Sequence, residues 1–335
     1  MRLPVYILSD AHTVDRTTGG DGLMDQGSQG NDGSLVSDGT SRFGRQDTSE
    51  LRLFTLNVSG PSLLRATRIL HFLSELDPDV IVLTETRGTP GTHHILDWYR
   101  EAGYEVVAPS TIASGERGVA IVHRVRSIPD AGAVTVDLAH RLLVVRLAID
   151  VPVTVIGAYV PSRDASVAKI TRKQMFLSQM ISLLKGLSDQ DCVILMGDFN
   201  VIGRSHEPKY SSFRSWEYES LVEIASCGLV DAFAELHPGV AAHSWFGRTG
   251  HGYRYDYGFL SQHWSTRLLH CAYIDEPRHQ GLSDHSGLLM TVAASDTPSL
   301  AGDDGRAGRL ATPRDLQLAQ KPRAAVATRE AVLVR

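Results

Sequence analysis

The sequence has few of the features that mark secreted or membrane-spanning proteins. Its three cysteines, Cys192, Cys227 and Cys271, are odd in number and far apart, so they suggest neither a disulfide framework nor a zinc site. No apolar run reaches the length of a membrane span, and the amino terminus lacks a basic leader followed by a long apolar stretch. We therefore expect a protein of the reducing cytoplasm.

The chain also lacks an overall positive charge. Its formal net charge is -5, so net charge does not draw it to a polyanion. Local charge remains, because arginines such as Arg87, Arg117 and Arg163 lie in or beside the segments that carry polar motifs. These arginines serve either as phosphate contacts or as ordinary solvated surface groups, so nucleic acid is not excluded as a partner.

Composition divides the chain into a centre and two tails. Much of the start is rich in Gly, Asp, Ser and Thr, and the end is rich in Ala, Arg, Pro and Asp. Neither segment has enough apolar side chains to offset the entropy that ordering would cost. We predict a disordered leader over residues 1–49, one folded domain over 50–294 and a disordered tail over 295–335.

Apolar strand candidates in the centre alternate with helical patterns over residues 61–76, 164–187 and 215–226. Several strand candidates end in a polar residue: Asn57, Glu85, Tyr159 and Asp198. Farther along, Asp256 starts a strand candidate, and Asp284 and His285 precede another. Because strand residues two apart face the same way, Asp198 and Asn200 can point into one site. The pattern predicts a site at one sheet edge, although an ordinary Asx turn also explains the pair.

Six short motifs, taken in order, resemble those of the endonuclease/exonuclease/phosphatase superfamily, and within it the exonuclease III type of abasic-site endonuclease. They occupy residues 56–60, 83–87, 159–161, 197–201, 254–257 and 283–285. Together with the mixed strands and intervening helices, the resemblance implies an α/β (α+β) four-layer sandwich, in which two mixed β-sheets pack face to face with helices on both outer faces.

The resemblance also implies roles for the polar residues. Glu85 would hold a divalent cation, with Asn57 beside it and Asp284 near it or in its outer shell. Oxygen ligands of this kind suit Mg²⁺, and Mn²⁺ should substitute. Asp198 would hold or deprotonate the attacking water, while Asn200 would orient that water or donate to a phosphate oxygen.

A second set of implied roles concerns proton donation. Asp256 would keep His285 protonated or correctly oriented, and His285 would donate to the scissile phosphate. Tyr159 would hydrogen-bond the phosphate or assist the leaving oxygen. Taken alone, a histidine near a strand is more often an ordinary polar residue, and a tyrosine at a strand end is usually a packing residue with a wet hydroxyl.

Substrate choice depends on loops. Trp245 and Phe246 resemble the aromatic loop of the exonuclease III type and would stack on or wedge into DNA, with Arg248 and Arg163 as further substrate contacts. A Trp buried beneath a loop is the alternative. The chain departs from the repair enzymes, which usually place Asn and Gly where residues 162–164 are Ser-Arg-Asp and often carry Gln at the position of Thr84. It also lacks the Pro that often follows the His.

The sequence therefore predicts a Mg²⁺-dependent phosphodiester hydrolase, most simply a DNA-repair endonuclease or exonuclease. The close alternative is a hydrolase of the same superfamily that acts on a small phosphoester or lipid head group, because the catalytic set fixes the reaction better than the substrate. A catalytically silent nucleic-acid-binding protein is a third reading. Metal-dependent turnover separates it from the other two.

Overall fold

The computed structural model describes residues 49–129, 136–187 and 191–294. The predicted leader, apart from Ser49, and the predicted tail lie outside the described residues. Numbered in chain order, the strands are β1 (Glu50–Asn57), β2 (Val80–Thr86), β3 (Glu105–Val107), β4 (Gly118–His123), β5 (Leu142–Leu147), β6 (Val153–Tyr159), β7 (Cys192–Asp198), β8 (Leu229–Asp231), β9 (Trp245–Phe246), β10 (Gly252–Tyr253), β11 (Asp256–Ser261), β12 (Leu268–Ile274) and β13 (Gly287–Ala293).

The helices are α1 (Leu63–Leu76), α2 (Pro90–Glu101), α3 (Val167–Lys185), α4 (Ser215–Ser226), α5 (Ala232–Leu236) and α6 (Glu276–His279). A six-stranded sheet has the order β12-β13-β1-β2-β4-β3, and a five-stranded sheet has the order β5-β6-β7-β11-β8. Both are mixed, since β1 pairs with β2 and β6 with β7 in parallel, whereas their other pairings are antiparallel. No helix in the described ranges is both long and apolar enough to cross a membrane.

The core forms two layers because neighbouring residues of a buried strand face opposite sides. In β2, Val80 and Val82 belong to the apolar cluster between the two sheets, while Ile81 and Leu83 belong to the cluster beneath α1 and α2. A Cβ on Gly157 of β6 would lie about 3 Å from the side chains of Val82 and Val119. The sheets therefore pack face to face, and the predicted layered α/β fold is confirmed.

Two predicted helix starts are shifted, and local hydrogen bonds explain both. We expected a helix from Pro61, but Ser62 is the N-cap of α1 and its hydroxyl accepts from Arg65 N, so Pro61 lies outside the helix. We expected another from Asp164, but its carboxylate accepts from Ser166 N at 2.9 Å. This turn delays α3 to Val167.

Strand direction and register bring the predicted polar residues to one edge of the sandwich. Asn57 and Tyr159 end β1 and β6, and Glu85 is the next-to-last residue of β2. In the five-stranded sheet, Asp198 at the end of β7 pairs with Tyr159 on one side and with Asp256 on the other. Since β11 runs antiparallel to β7, its first residue lies at the same edge as the last residue of β7.

Candidate active site

Two acids and a histidine form a buried group at this edge. Asp198, Asp256 and His285 each offer one ligand atom, and these atoms lie within 4.8 Å of one another. Asp256 Oδ2 is 2.7 Å from His285 Nδ1, while the main-chain N–H of Asp256 donates to Ser244 Oγ. The ladder between β7 and β11 thus places a carboxylate from each strand beside one imidazole.

In the hydrogen bonds of the described residues, the Asn57 side chain contacts this group and not Glu85. Its Nδ2 donates to Asp198 Oδ2 at 2.9 Å and lies 3.4 Å from His285 Nε2. Its Oδ1 accepts from Ser59 N at 2.9 Å. Ser283 Oγ donates to the Asn57 carbonyl and accepts from His285 N. The first and last motifs are therefore tied together through a serine hydroxyl.

Glu85 forms a second polar group with Tyr159 and Arg117. The Tyr159 hydroxyl donates to Glu85 Oε1 at 2.9 Å, and Arg117 Nη1 lies 2.6 Å from the same oxygen. Glu85 has a left-handed backbone, with φ of 55°, at the point where the register of β2 with β4 shifts. This kink places the carboxylate at the sheet edge, where the Glu85 side chain is only 11% exposed.

The turn from Gly197 to Asn200 is strongly restrained. Gly197 has φ of 145°, and a Cβ there would lie 1.9 Å from the Ala158 carbonyl oxygen. Asn200 is left-handed, with φ of 50°; its N–H donates to Asp198 Oδ1 and its Nδ2 to the Val160 carbonyl. The Asx turn that the sequence allowed is therefore present, and it holds Asp198 at the site.

Burial and charge shift the proton affinities of the group. Burial, followed by the charge of Asp256, raises the pKa of Asp198 to about 8, although His285 opposes the shift. Burial alone would lower the pKa of His285, but Asp256 and then Asp198 raise it to about 10. Burial and the charge of Glu85 raise the pKa of Tyr159. At neutral pH the imidazole is charged and the phenol keeps its proton.

The aromatic loop lies beside this group. Trp245 Nε1 donates to Asp284 Oδ2 at 3.0 Å, and the Trp245 and His285 rings are 6.4 Å apart. Phe246 is 40% exposed under the Arg278 guanidinium. Arg248 and Asp284 are exposed. The loop therefore presents aromatic, acidic and basic side chains at the rim of the candidate site.

Two arginines of the motif segments serve internal ion pairs instead. Arg163 Nε donates to Glu217 at 3.0 Å, and its Nη2 donates to the same carboxylate and to the Ser212 carbonyl. Arg254 donates from both terminal nitrogens to Asp231, each at 2.6 Å. The structure thus engages the guanidinium of Arg163, which we had expected to contact substrate, with the protein.

Sequence reasoning missed several supporting residues. Ser244 and Ser283 fix Asp256 and His285 through hydrogen bonds. Ser283 is the first residue of the last motif and Ser244 directly precedes Trp245, but the sequence assigned neither a role. Lys173 reaches the Asn200 carbonyl from α3, and nothing in its helical pattern distinguishes it from a surface lysine. Tyr210, Tyr253 and Tyr255 stack beside Trp245; the last two alternate along the chain just before Asp256, which was a readable signal.

Known proteins resemble the chain in both sequence and structure. The model of the Endonuclease/Exonuclease/phosphatase family matches residues 54–329. An exodeoxyribonuclease from Bacillus subtilis (strain 168) is 25% identical over 230 residues, covering 63% of this chain and 88% of the relative.

Two of the solved structures that are similar to this chain illustrate the shared fold. An AP endonuclease from Archaeoglobus fulgidus has a TM-score of 0.58 and 22% identity, covering 72% of this chain and 98% of that one. The 3′ phosphatase NExo from Neisseria, bound to a product DNA hairpin, has a TM-score of 0.59 and 19% identity, with the same coverage.

Proposed function

We propose that this chain, which belongs to the endonuclease/exonuclease/phosphatase family, is a Mg²⁺-dependent phosphodiester hydrolase that acts on DNA as a nuclease of the exonuclease III type at abasic sites. One observation carries the proposal: Asp198 lies buried beside the hydrogen-bonded pair of Asp256 and His285. A general base next to a charged imidazole is the arrangement that water attack on a phosphodiester needs.

The donor set fits a hard divalent cation. Among the described residues, Asp256 Oδ1 is buried without a hydrogen-bond partner, which leaves it free to bind an ion. Glu85, which lies with Tyr159 and Arg117 and outside the group of Asp198, Asp256 and His285, offers further carboxylate oxygens, the ligands that Mg²⁺ and Mn²⁺ prefer. Such an ion would supply positive charge against the negative charge that develops on the phosphate. A protonated His285 has no free lone pair, so we assign it to proton donation.

Asn57 and Asp284 stay in the proposal as weaker ligand candidates. The Asn57 side-chain oxygen already accepts from Ser59 N, and Asp284 Oδ2 accepts from Trp245. Each could still contribute through a bridging water. The Glu85 carboxylate, which in the contacts described accepts only from Tyr159 and Arg117, both at Oε1, is the stronger candidate.

Asp198 is suited to take a proton from the attacking water. Its pKa is about 8, raised by burial and by Asp256, so most of the carboxyl is protonated at pH 7 in the metal-free protein. Above about pH 8, or beside a bound cation that would lower its pKa, the ionised form accepts the proton. The N–H of Asn200 fixes Asp198 Oδ1, and Asn57 fixes Oδ2. The carboxylate is thereby held in one orientation towards the site.

His285 is suited to donate to the scissile phosphate. Its Nδ1–H is directed at Asp256, so Nε2–H is the proton left to donate. The neighbouring Asn57 Nδ2 is also a donor, so the 3.4 Å contact between them is not a hydrogen bond when His285 is charged. A phosphate oxygen would supply the missing acceptor. Tyr159, which keeps its proton, would donate to the phosphate or to the leaving oxygen.

The assignment to DNA draws on the rim and on the relatives. Trp245 and Phe246 offer ring surface for a nucleotide or sugar, and exposed Arg248 offers charge for a phosphate. The similar proteins include an exodeoxyribonuclease, an AP endonuclease and a phosphatase bound to a DNA hairpin. We leave Arg163 out of the substrate contacts because Glu217 and Ser212 engage it.

A substrate panel tests the proposal. The full-length protein is incubated with a duplex containing one abasic site, a duplex ending in a 3′-phosphate, and bis-p-nitrophenyl phosphate, each with Mg²⁺ or with EDTA. Mg²⁺-dependent incision at the abasic site is the expected result. Hydrolysis of the generic ester alone would contradict the DNA assignment and favour a small phosphoester. Binding of DNA without turnover on any substrate would favour the silent binding protein.

A further inference from the structure

Three charged side chains form a buried group beneath the candidate active site, and one of them donates a hydrogen bond to the main chain of the site. Lys173 projects from α3, Glu217 from the first turn of α4, and Arg163 from the segment after β6. Lys173 Nζ donates to Glu217 Oε1 at 2.7 Å and to the Asn200 carbonyl at 2.6 Å. The side chains of Lys173 and Glu217 are each 1% exposed. The group therefore links two helices to the turn that carries Asp198.

Burying these charges needs compensation, and the contacts supply it. Glu217 accepts from Lys173, from Arg163 and from the Arg214 N–H at the start of α4. Burial would raise the pKa of Glu217, but Arg163 and Lys173 lower it on balance. Well-packed apolar side chains often stabilise a fold as well as a buried ion pair does. Stability alone therefore does not explain why the Lys173 ammonium donates to the Asn200 carbonyl.

Asn200 has a left-handed backbone, with φ of 50°. Asparagine adopts this conformation more readily than most non-glycine residues, but it is still uncommon. Three hydrogen bonds hold it: its N–H donates to Asp198, its amide to Val160, and its carbonyl accepts from Lys173. Only the last comes from outside the two strand ends that meet at the site. Lys173 thus fixes the peptide that follows Asn200.

We propose that Lys173 is a positioning residue for hydrolysis: it holds the Asn200 carbonyl, keeps the turn left-handed, and so keeps the Asn200 N–H on Asp198. Glu217 and Arg163 hold the Lys173 ammonium in place. The inference rests on the proposed function of Asp198. Small displacements of a reacting group by a distant change can slow turnover by about 10²-fold, so the loss of Lys173 affects kcat without a direct contact to substrate.

The test compares three variants with the full-length wild type. Lys173→Met removes the charge and the donors, Lys173→Arg keeps both, and Met180→Ala destabilises the same helix at a buried core position without touching Asn200. Kinetics on the best phosphoester substrate are measured well below each Tm. We expect kcat of Lys173→Met to fall about 10- to 100-fold with KM changed less than about threefold. Lys173→Arg should restore at least about a third of the loss in log kcat.

Amide hydrogen exchange supplies a readout that does not depend on activity. The Asn200 N–H donates to Asp198 in the wild type, so we expect its exchange to be slow. In Lys173→Met it should exchange at least about tenfold faster, whereas Met180→Ala should leave it close to wild type. If Lys173→Met does not fold, Glu217→Gln replaces it in the test. This variant removes the charge that pairs with Lys173 but keeps a side-chain oxygen that can accept from it. It should show the same changes in kcat and in exchange, but smaller ones.

The outcomes separate this inference from the proposed function. Normal kcat and slow Asn200 exchange in Lys173→Met would overturn the positioning role while wild-type activity stands. An equal fall of kcat in Met180→Ala would also overturn it, because the effect would then follow stability alone. A wild type without turnover would refute the proposed function, and the exchange measurement would still decide whether Lys173 holds the turn.

Discussion

At the scale of single residues, the proposed reaction depends most on the Asp198 carboxylate. Asp198→Ala should lower kcat by about 10² to 10⁴-fold, the usual contribution of a general base, because no other described acid accepts both the Asn57 and Asn200 donors. Steady-state kinetics measure the loss, with circular dichroism to verify the fold. Asp97→Ala, which removes an exposed acid paired with Arg100, is the matched control. A loss of less than tenfold would rule out the base role.

The proton on His285 can be observed directly. Its pKa is about 10, because the charges of Asp256 and Asp198 outweigh the effect of burial. NMR of the metal-free protein should therefore show an imidazolium up to about pH 9. Asp256→Asn removes the negative charge that does most to raise the pKa of His285, so this pKa should fall well below 10. An imidazole that is already neutral at pH 8 in the wild type would contradict the proposed donor role.

At this scale the sequence indicated which residues form the candidate site better than it indicated which residues they contact. The two-residue spacing of Asp198 and Asn200 and the position of Glu85 after an apolar run were readable from the chain. The pairing of Asp198 with Asp256 was not, because the register between β7 and β11 is set by long-range packing. For the same reason the sequence pattern did not reveal that Asn57 bonds Asp198 and that Arg163 is engaged by Glu217.

At the scale of elements, the contact between the ends of β6 and β7 requires Gly197. An alanine Cβ there would lie 1.9 Å from the Ala158 carbonyl oxygen, so the two strand ends would have to separate. Gly197→Ala should lower the free energy of unfolding by more than about 3 kcal/mol and should reduce activity in the remaining folded protein. Urea denaturation measures the first effect.

Gly103 supplies the control for that substitution. It also has a positive φ, 86°, but nothing lies within 4 Å of an added Cβ. Gly103→Ala should therefore cost only roughly 1–2 kcal/mol and leave activity unchanged. Equal losses in the two variants would show that backbone conformation, rather than the close approach of β6, limits residue 197.

Glu116 joins α3 to the segments that flank β4, and its charge makes this junction sensitive to pH. Hydrogen bonding to Arg172, together with Arg141, lowers its pKa to about 2 against the effect of burial. A lowered folded-state pKa stabilises the fold above the unfolded value, and the contribution is lost as pH falls from about 4.5 towards 2. After allowance for solvent screening, it amounts to about 1–2 kcal/mol at pH 7.

Denaturation of Glu116→Gln tests this junction. The variant should be less stable than wild type by that amount at pH 7, and the difference should shrink as pH falls below about 4.5. Glu101→Gln, which alters an exposed acid at the end of α2, should match wild type throughout. A difference that stays constant from pH 7 to pH 3 would show that the carboxylate charge does not contribute.

The elements themselves were predicted unevenly. The helix ending at Leu76 was readable because Ile69, Leu70 and Leu73 recur on one face, and these residues are buried in α1. Two- and three-residue strands such as β8 and β9 carry too few positions to show a period. β8 forms on the edge of the longer β11, and β9 pairs with the equally short β10; a single sequence displays neither pairing.

At the scale of the whole molecule, the alternation of strand and helix candidates in the sequence was enough to predict the layered architecture. It could not give the strand orders, because the pairings join segments that are far apart in the chain, such as β1 with β13 and β7 with β11. All three cysteines are free, as the absence of a disulfide pattern predicted. The cytoplasmic location and the disorder of both tails stay predictions.

Metal dependence is the property of the whole protein on which the account depends most. The most direct test strips the full-length protein with EDTA, removes the chelator, and measures phosphodiester hydrolysis as Mg²⁺ is added back. The account predicts no turnover without metal and a saturable recovery with Mg²⁺ or Mn²⁺. Full turnover in the stripped protein, or none at any concentration of either ion, would contradict it.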